Sequence, residues 1–332
     1  MSKMFKPMLA GKPDTSSDIR FPVLASPKID GVRATLHASS APGVVHVMSR
    51  SMKPIPNRHV ECTLGIVEAI GLDGELIVGS ATDPNAMQNT TSGVMSINKT
   101  PVFTFHVFDS FDAALGTGFD ERLTTARERV TRLQDNWPAL AMANRLEYSA
   151  PLIDCPFDIV EHKLITCIEE LDEYEAKQLV DGYEGVMVRD PNGAYKFGRS
   201  TVREGGLLKL KRFSDGEAIV VDYVEEQMND NVATTNELGR TKRSSHKENK
   251  HGKGTLGAFV CRRIFIDENG KRVESAYTFN IGTGMTAAER QEFWYKPKEL
   301  LGKIIKFKHF EHGVVDAPRH PVFIGFRDAR DM

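Results

Sequence analysis

The chain has 332 residues, of which 40% are hydrophobic and 27% are charged, and its formal net charge at pH 7 is −2. This length exceeds what one core usually holds and predicts two domains, while the near-neutral charge sum does not exclude a nucleic-acid partner. No apolar run approaches the roughly 18 residues of a membrane-spanning helix, and no signal peptide is recognisable. The four cysteines are scattered without a C-x-x-C pair, which disfavours a disulfide framework or a cysteine zinc site and favours an intracellular location.

Strand patterns dominate the chain. Short runs of β-branched and aromatic residues predict strands in the first part at "VVHVMSR", "DGELIVG", "VFTFHVFDSF", "EGVMVRD" and "LLKLKRF". They predict further strands at "GEAIVVDYV", "TLGAFVCRRIF", "AYTFNIGTG", "KIIKFKHFEHG" and "PVFIGFRD". Helical patterns are confined to residues 57–70, 120–136, 168–181 and 286–301. The fold class is therefore α+β, with a mixed domain over residues 1–211 and a strand-rich domain over 212–332 that suits a five-stranded OB-fold β-barrel.

A lysine stands in an unusual place in the stretch "SPKIDGVR" (26–33). Lys28 is flanked by apolar, strand-like residues. Its side chain therefore either extends along the apolar surface to place the amine in solvent, or has a role other than that of a solubilising surface charge. A lysine at the edge of a strand beside a glycine turn is the alternative that this stretch alone leaves open.

Charged residues also share faces of several predicted strands. Alternation places Lys209 and Lys211 on one face of "LLKLKRF", and Asp73 and Glu75 on one face of "LDGELIV". Carboxylates bind hard cations or ribose hydroxyls, and cations bind phosphate oxygens. Together the two sets indicate a nucleotide site, with a structural ion-pair network as the alternative. Because the sequence has no G-x-x-x-x-G-K-[ST] motif, side chains would have to bind the phosphates.

The window "GRTKRSSHKENKHGK" (239–253) carries six Lys or Arg residues against one Glu. Its Gly, Ser and Asn content predicts a mobile loop over about 229–253. This loop either binds nucleic acid or is simply a solvated surface segment.

The motifs taken together resemble a known superfamily. "KIDGVR" resembles the K-x-D-G-x-R signature of covalent nucleotidyltransferases, which comprise ATP-dependent DNA ligases, RNA ligases and mRNA capping enzymes. "SRSMKPIPN", "DGE", "FHVFD", "EGVMVR" and "LLKLK" follow in the order of the other core motifs. "GAYKFGRST" and "APRHPVFIGFR" are similar to further blocks of the small viral ATP-dependent DNA ligases. The resemblance implies a nucleotidyltransferase (adenylation) domain of ATP-grasp-like antiparallel sheets with helices, followed by an OB-fold domain.

The resemblance also implies roles for individual residues. Lys28 would attack the α-phosphate of ATP and form a lysyl-AMP, assisted by Lys209, Lys211 and Arg319. The residues implied to contact the nucleotide are Asp30, Arg33, Arg50, Glu75, Phe108, Glu184, Lys209 and Lys211. Glu184 and Asp73 are the implied ligands of Mg²⁺ or Mn²⁺. The DNA-binding residues expected from the motifs and the basic loop are Arg50, Lys196, Arg199, Arg240, Lys242, Arg243 and Lys247.

The function implied is an ATP-dependent DNA ligase that seals 3′-hydroxyl/5′-phosphate nicks in duplex DNA, in replication, repair or recombination. Nicked duplex DNA is the expected partner, and a monomer without membrane attachment is expected. An RNA ligase or capping guanylyltransferase would use the same lysine, and an OB-fold DNA-binding module is the alternative that is not an enzyme. The match over residues 111–150 is poor, so the helix at 120–136 is expected only to pack.

Overall fold

The computed structural model describes residues 5–13, 15–114, 116–143, 154–211, 213–235, 241–244, 246–266, 271–310 and 317–327. The chain divides into two compact units, the first ending at Lys211 and the second following it. None of the helices in the described ranges is both long and apolar enough to cross a lipid bilayer.

The first unit alternates short strands with four helices. Its strands are β1 (Val23–Pro27), β2 (Val32–Ala38), β3 (Val45–Ser49), β4 (Leu72–Val78), β5 (Phe103–Ser110), β6 (Phe157–Ile159), β7 (Lys163–Ile165), β8 (Val186–Arg189) and β9 (Leu208–Leu210). Its helices are α1 (Arg58–Leu64), α2 (Ala86–Val94), α3 (Phe119–Ala143) and α4 (Ile168–Val180). The five strands predicted in this part are all confirmed.

Two sheets organise the first unit. One has the strand order β3-β2-β4-β5-β6, in which only the β5–β6 pair is parallel, and the other has the antiparallel order β7-β1-β8-β9. Along α3, Ala126, Val130, Leu133 and Trp137 recur at helical spacing and pack in one core with Phe105 of β5. Helix α3, which was expected only to pack, thus forms one side of the main core.

The second unit is mostly strand. Its strands are β10 (Ser214–Asn229), β11 (Ala233–Thr235), β12 (Thr241–Arg243), β13 (Lys250–Ile266), β14 (Arg272–Ile281), β15 (Ile304–Phe310) and β16 (Arg319–Phe326), and its helices are α5 (Ala287–Tyr295) and α6 (Pro297–Leu300). Five of the strands form an antiparallel sheet in the order β14-β13-β10-β15-β16, and β11 pairs with β12.

Two predictions need correction, and one helix was not predicted. The second unit has five strands in one sheet as expected, but within the described residues the barrel does not close: beyond β14 only an isolated bridge joins Thr283 to Val322. The helix predicted over 286–301 is divided at Lys296, because a residue before proline is disfavoured in the helical region. Helix α2 was not predicted, since "AMQNTTSGV" is poor in strong helix formers and in apolar periodicity.

Candidate functional site

Strand register in the first unit brings two lysines to one carboxylate. In the sheet β7-β1-β8-β9, Val186 of β8 pairs with Pro27 on one side and with Leu210 on the other. Lys28 and Lys211 are the next residues after these partners, and Glu184 lies two residues before Val186. The pairing therefore places Lys28 and Lys211 on either side of Glu184.

The three side chains are in direct contact. The amino group of Lys28 pairs with one oxygen of Glu184, and the amino group of Lys211 pairs with the other. The Glu184 side chain is 1% exposed, whereas both lysine side chains are 17% exposed. A buried carboxylate with both oxygens paired is held in a single orientation, so Glu184 fixes the position of the Lys28 amine.

The main chain around Lys28 is tightly packed. The backbone N–H of Lys28 donates to the carbonyl oxygen of Gly185 at 2.8 Å. An added Cβ at Gly31 would lie 2.2 Å from the carbonyl oxygen of Leu76, so no other residue fits there without displacing β4. The glycine of "KIDGVR" thus allows the segment after Lys28 to lie against the other sheet of the unit.

Positive charges gather around Lys209. Burial lowers the pKa of Lys209 below its ordinary value, and neighbouring cations lower it further: Lys28, Arg199, Arg50 and Lys12. On β9, Leu208 and Leu210 are buried while Lys209 is only partly so, as the predicted alternation requires. Like charges held this close favour binding of an anion between them.

A buried carboxylate on β4 holds Arg33. The guanidinium of Arg33 donates to both oxygens of Asp73, at 2.8 and 2.5 Å, and to the carbonyl oxygen of Met8 at 2.6 Å. The hydroxyl of Tyr195 donates to Asp73 at 2.6 Å. Burial alone would lower the pKa of Arg33, but the charge of Asp73 raises it above its usual value.

Glu75 is the carboxylate most perturbed in this region. Burial raises its pKa from 4.5 to about 7, although the charges of Lys28 and Arg33 act in the opposite direction. The negative charges of Asp30 and Asp73 also raise the pKa, which places both carboxylates near Glu75. A carboxyl group that titrates near neutrality can donate as well as accept a hydrogen bond, as recognition of a hydroxyl requires.

An aromatic ring lies beside two guanidinium groups. The half-buried Phe108 has the guanidinium carbon of Arg33 at 5.2 Å and that of Arg189 at 5.6 Å from its ring centroid. A flat ring held in this way offers a stacking surface for a planar ligand.

Behind Phe108 lies an ion network that sequence reasoning missed. The wholly buried Asp109 accepts from Arg122 at 2.9 and 3.2 Å and also pairs with Arg189. Arg122 lies on α3 and also donates to the carbonyl oxygens of Thr117 and Gly193, at 2.6 and 2.9 Å. The one signal in the sequence was an arginine placed on the apolar face of a predicted helix, near Phe119 and Ala126.

Several predicted residues take no part in the hydrogen bonds of Glu184, Asp73 and Asp109, although Arg199 and Arg50 are among the cations near Lys209. Lys196 is paired with Glu204 at 2.6 Å, Arg199 donates to the carbonyl oxygen of Ala10 at 2.7 Å, and Arg50 is exposed. Arg319, half-buried, opens β16, and Arg243 ends β12, both in the second unit. Arg240 and the side chains of Lys242 and Lys247 lie outside the described residues.

The described part of this region contains carboxylates that could bind a divalent cation, but no preformed set of metal ligands. Within the described part of the chain no group of three or more His, Cys, Asp or Glu residues is arranged to hold a metal ion. Both oxygens of Asp73 accept hydrogen bonds, and both oxygens of Glu184 pair with lysines. This donor set fits a Mg²⁺ that brings most of its ligands as phosphate oxygens and water, and takes one or two carboxylates from the protein.

The chain matches known protein families over most of its length. Residues 7–211 match the family described as the ATP dependent DNA ligase domain, and residues 249–327 match the DNA ligase OB-like domain. A crystal structure of Chlorella virus DNA ligase-adenylate is 31% identical, with a TM-score of 0.52, and the alignment covers 98% of this chain and 99% of that one.

Curated relatives match over shorter stretches. A probable DNA ligase of Kineococcus radiotolerans is 28% identical over 57% of this chain, and a DNA ligase of African swine fever virus is 36% identical over 20% of it. The matched stretch spans 34% of the length of the first relative and 16% of the second.

The ion network behind Phe108 should contribute strongly to stability. Asp109→Asn leaves the buried Arg122 and Arg189 facing a neutral amide, and we expect it to lower the free energy of unfolding by about 3–5 kcal/mol. The matched control is Glu161→Gln, since Glu161 pairs with Arg127 at 3.3 Å while largely exposed, and this should cost about 1 kcal/mol or less. Urea unfolding followed by circular dichroism measures both, and equal small losses would show that the network is dispensable.

The raised pKa of Glu75 should make stability depend on pH. Because its folded pKa of about 7 exceeds the ordinary 4.5, its contribution is fully present below pH 4.5 and is lost as the pH rises through 7. Glu75→Gln mimics the protonated form, so the melting temperature of the wild type should fall relative to that of the variant across this window. Calorimetry from pH 4.5 to above 7 measures the difference; the exposed Glu128→Gln serves as control, and parallel curves for wild type and Glu75→Gln would contradict the assignment.

Proposed function

Since the chain belongs to the ATP-dependent DNA ligase family, we propose that it seals nicks between 3′-hydroxyl and 5′-phosphate ends in duplex DNA. The observation that carries the proposal is the pairing of Lys28 and Lys211 with the two oxygens of one buried carboxylate, Glu184. We assign residues 1–211 to the adenylation domain and residues 212–332 to the OB-fold domain that binds DNA.

In the first step the amine of Lys28 attacks the α-phosphate of ATP. A bond forms between Nζ and the α-phosphorus, the bond from that phosphorus to the bridging oxygen breaks, and pyrophosphate leaves with its electron pair. Only the unprotonated amine is nucleophilic, so a proton must leave Nζ, and Glu184 is in contact with it. Glu184 thereby aims the amine and provides an acceptor for the proton.

The cations around Lys209 would bind the phosphates. Negative charge develops on the phosphoryl oxygens during transfer, and fixed positive charges stabilise it without further reorganisation. Lys211 lies close enough to share Glu184 with the nucleophile, so an α-phosphate at Lys28 is within its reach. Arg319 of the second unit would orient the β- and γ-phosphates.

The remaining residues would bind the nucleoside. Phe108 offers its ring to the adenine, and Glu75, able to donate or accept near neutral pH, offers its carboxyl group to a ribose hydroxyl. Asp30 and Arg33 lie near Glu75 and would contact the same nucleoside. The contacts of Arg33 with Asp73 and Met8 support a second role for it, which is to hold the segment at Met8 against β4.

We propose that Mg²⁺ or Mn²⁺ accompanies ATP and is held by Glu184, with Asp73 as a further ligand. Such a cation neutralises charge on the phosphates and on the departing pyrophosphate. Asp73 accepts three hydrogen bonds and Glu184 pairs with two lysines, so each carboxylate has few lone pairs left for the cation. The cation would therefore take most of its ligands from phosphate oxygens and water.

The AMP then passes from Lys28 to the 5′-phosphate at a nick, and the 3′-hydroxyl displaces AMP to close the strand. The proposed DNA contacts are those predicted from the sequence: Arg50, Lys196, Arg199, Arg240, Lys242, Arg243 and Lys247. Contacts of this kind to phosphates make binding dependent on salt and largely independent of sequence. The protein would act as a monomer on nicked duplex DNA.

Labelling with nucleotide tests the proposal. We expect protein incubated with Mg²⁺ and ATP labelled at the α-phosphate to carry the label through a denaturing gel and to lose it when nicked duplex DNA is added. Lys28→Ala should carry no label, because no other amine replaces the nucleophile. The matched control is Lys177→Ala, since Lys177 is exposed on α4 in a pair with Asp181, and this variant should label as the wild type does.

Other outcomes would point to the alternatives. Label from GTP and not from ATP would favour a capping guanylyltransferase, and label from ATP that nicked RNA discharges but nicked DNA does not would favour an RNA ligase. Absence of label from protein shown to be free of bound AMP would overturn the covalent mechanism and leave a DNA-binding module.

A further inference from the structure

One buried asparagine connects the described parts of the basic loop of the second unit, which are residues 229–235, 241–244 and 246–253. Asn231 is 7% exposed, although most of the residues near it in the sequence are polar. Its side-chain amide donates to the carbonyl oxygen of Ser244 at 3.1 Å and to that of His246 at 2.9 Å. These contacts bind the start of the loop to a segment thirteen to fifteen residues further along the chain.

Two further asparagines complete this hub. The side-chain oxygen of Asn229 accepts from the side-chain amide of Asn231 at 2.9 Å and from its backbone N–H at 3.2 Å. The amide of Asn229 donates to the Ser244 carbonyl oxygen at 3.0 Å. The amide of Asn249 donates to the side-chain oxygen of Asn231 at 3.2 Å. Both ends of the loop therefore meet at Asn231.

The same residue holds a cation. The guanidinium of Arg243 donates to the backbone carbonyl oxygen of Asn231 at 2.5 Å, while Arg243 as a whole is exposed. Arg243 ends β12 and pairs across the hairpin with Ala233. Asn231 thus fixes the chain around Arg243 through its side chain and fixes the guanidinium itself through its backbone.

The basic loop depends on hydrogen bonds for the order that a hydrophobic core provides in other segments. A segment of Lys, Arg, Ser, Asn and Gly has too little apolar surface to order itself by burial. If such a loop were disordered before binding, its ordering would reduce the affinity for a ligand, whereas a loop already ordered avoids that loss. A buried amide with four hydrogen-bond partners is the feature of this loop that provides such order.

We propose that Asn231 is a positioning residue for DNA binding: it sets the basic loop and Arg243 in their binding geometry before the duplex arrives, without itself contacting DNA. This inference rests on the proposed function, because it assigns the loop to DNA. It adds that the affinity for nicked duplex depends on a buried, uncharged residue.

The test compares Asn231→Ala and Asn231→Asp with the wild type as full-length proteins. Loss of two or three hydrogen bonds should weaken binding to nicked duplex about tenfold. The KM for nicked DNA should rise in the same proportion, while turnover at saturating DNA and the rate of labelling by ATP stay within about twofold of the wild type. Asn231→Asp keeps the size and the acceptor oxygen but loses the donor, so it tests the same bonds if the alanine variant folds poorly.

A double-mutant cycle with Arg243→Ala separates positioning from simple loss of structure. If Asn231 acts by placing Arg243, both changes remove the same contact, which is that of Arg243 with DNA. The double variant should then bind DNA little worse than the weaker-binding single variant. The salt dependence of binding should also become shallower, by about one unit of slope, in Arg243→Ala and in the Asn231 variants. The matched control is Asn136→Ala, since Asn136 is exposed on α3 and its amide donates to the carbonyl oxygen of Arg132 in the same helix at 2.8 Å.

Three results would overturn the inference: nick affinity of the Asn231 variants within twofold of the wild type, additive effects in the cycle, or a parallel loss of labelling by ATP. Its failure is distinguishable from failure of the proposed function. If the wild type labels with ATP and binds nicked duplex while the variants do the same, only the role of Asn231 is wrong. If the wild type itself does not bind nicked duplex, both are wrong.

Discussion

The first unit depends on one buried carboxylate shared by two lysines. Burying an ionised carboxyl group is costly unless opposite charges satisfy it, and Glu184 is almost inaccessible to water. The sheet β7-β1-β8-β9 satisfies it, since Lys28 follows one neighbour of β8 and Lys211 follows the other. Fold stability and, in the proposed mechanism, the orientation of the attacking amine therefore depend on the same three side chains. Any change to Glu184 would alter both.

Two further buried carboxylates support the proposed nucleotide site from behind. Asp73 holds Arg33, and Asp109 holds Arg122 and Arg189. Both clusters end beside Phe108, since Arg33 and Arg189 lie within 5.6 Å of its ring centroid. Rigid support of this kind keeps a binding surface in place before the ligand arrives. The long helix α3, through Arg122, thus takes part in the site without facing the ligand.

The sequence predicted which face of a strand a side chain occupies, but not which side chains meet when the sheets and helices pack. Alternation along "LLKLKRF" was enough to place Lys209 opposite the buried leucines. The contact of Lys28 with Glu184 was not predicted. The partner of Arg122 is thirteen residues away, and Tyr195 reaches Asp73 over 122 residues. No periodicity encodes such pairs, because they depend on how the sheets pack. The contacts of Asn231 could not be predicted for the same reason. The expected barrel does not close within the described residues, and strand patterns alone do not specify which sheet edges meet.

Mapping the site of AMP attachment tests the central claim most directly. The protein is incubated with ATP and Mg²⁺, digested, and the peptides are sequenced by mass spectrometry. We expect AMP on Lys28 alone and no modified peptide from Lys28→Arg, whose guanidinium is not nucleophilic at neutral pH. AMP on Lys209 or Lys211, the neighbouring lysines, or on a residue of the second unit would contradict it.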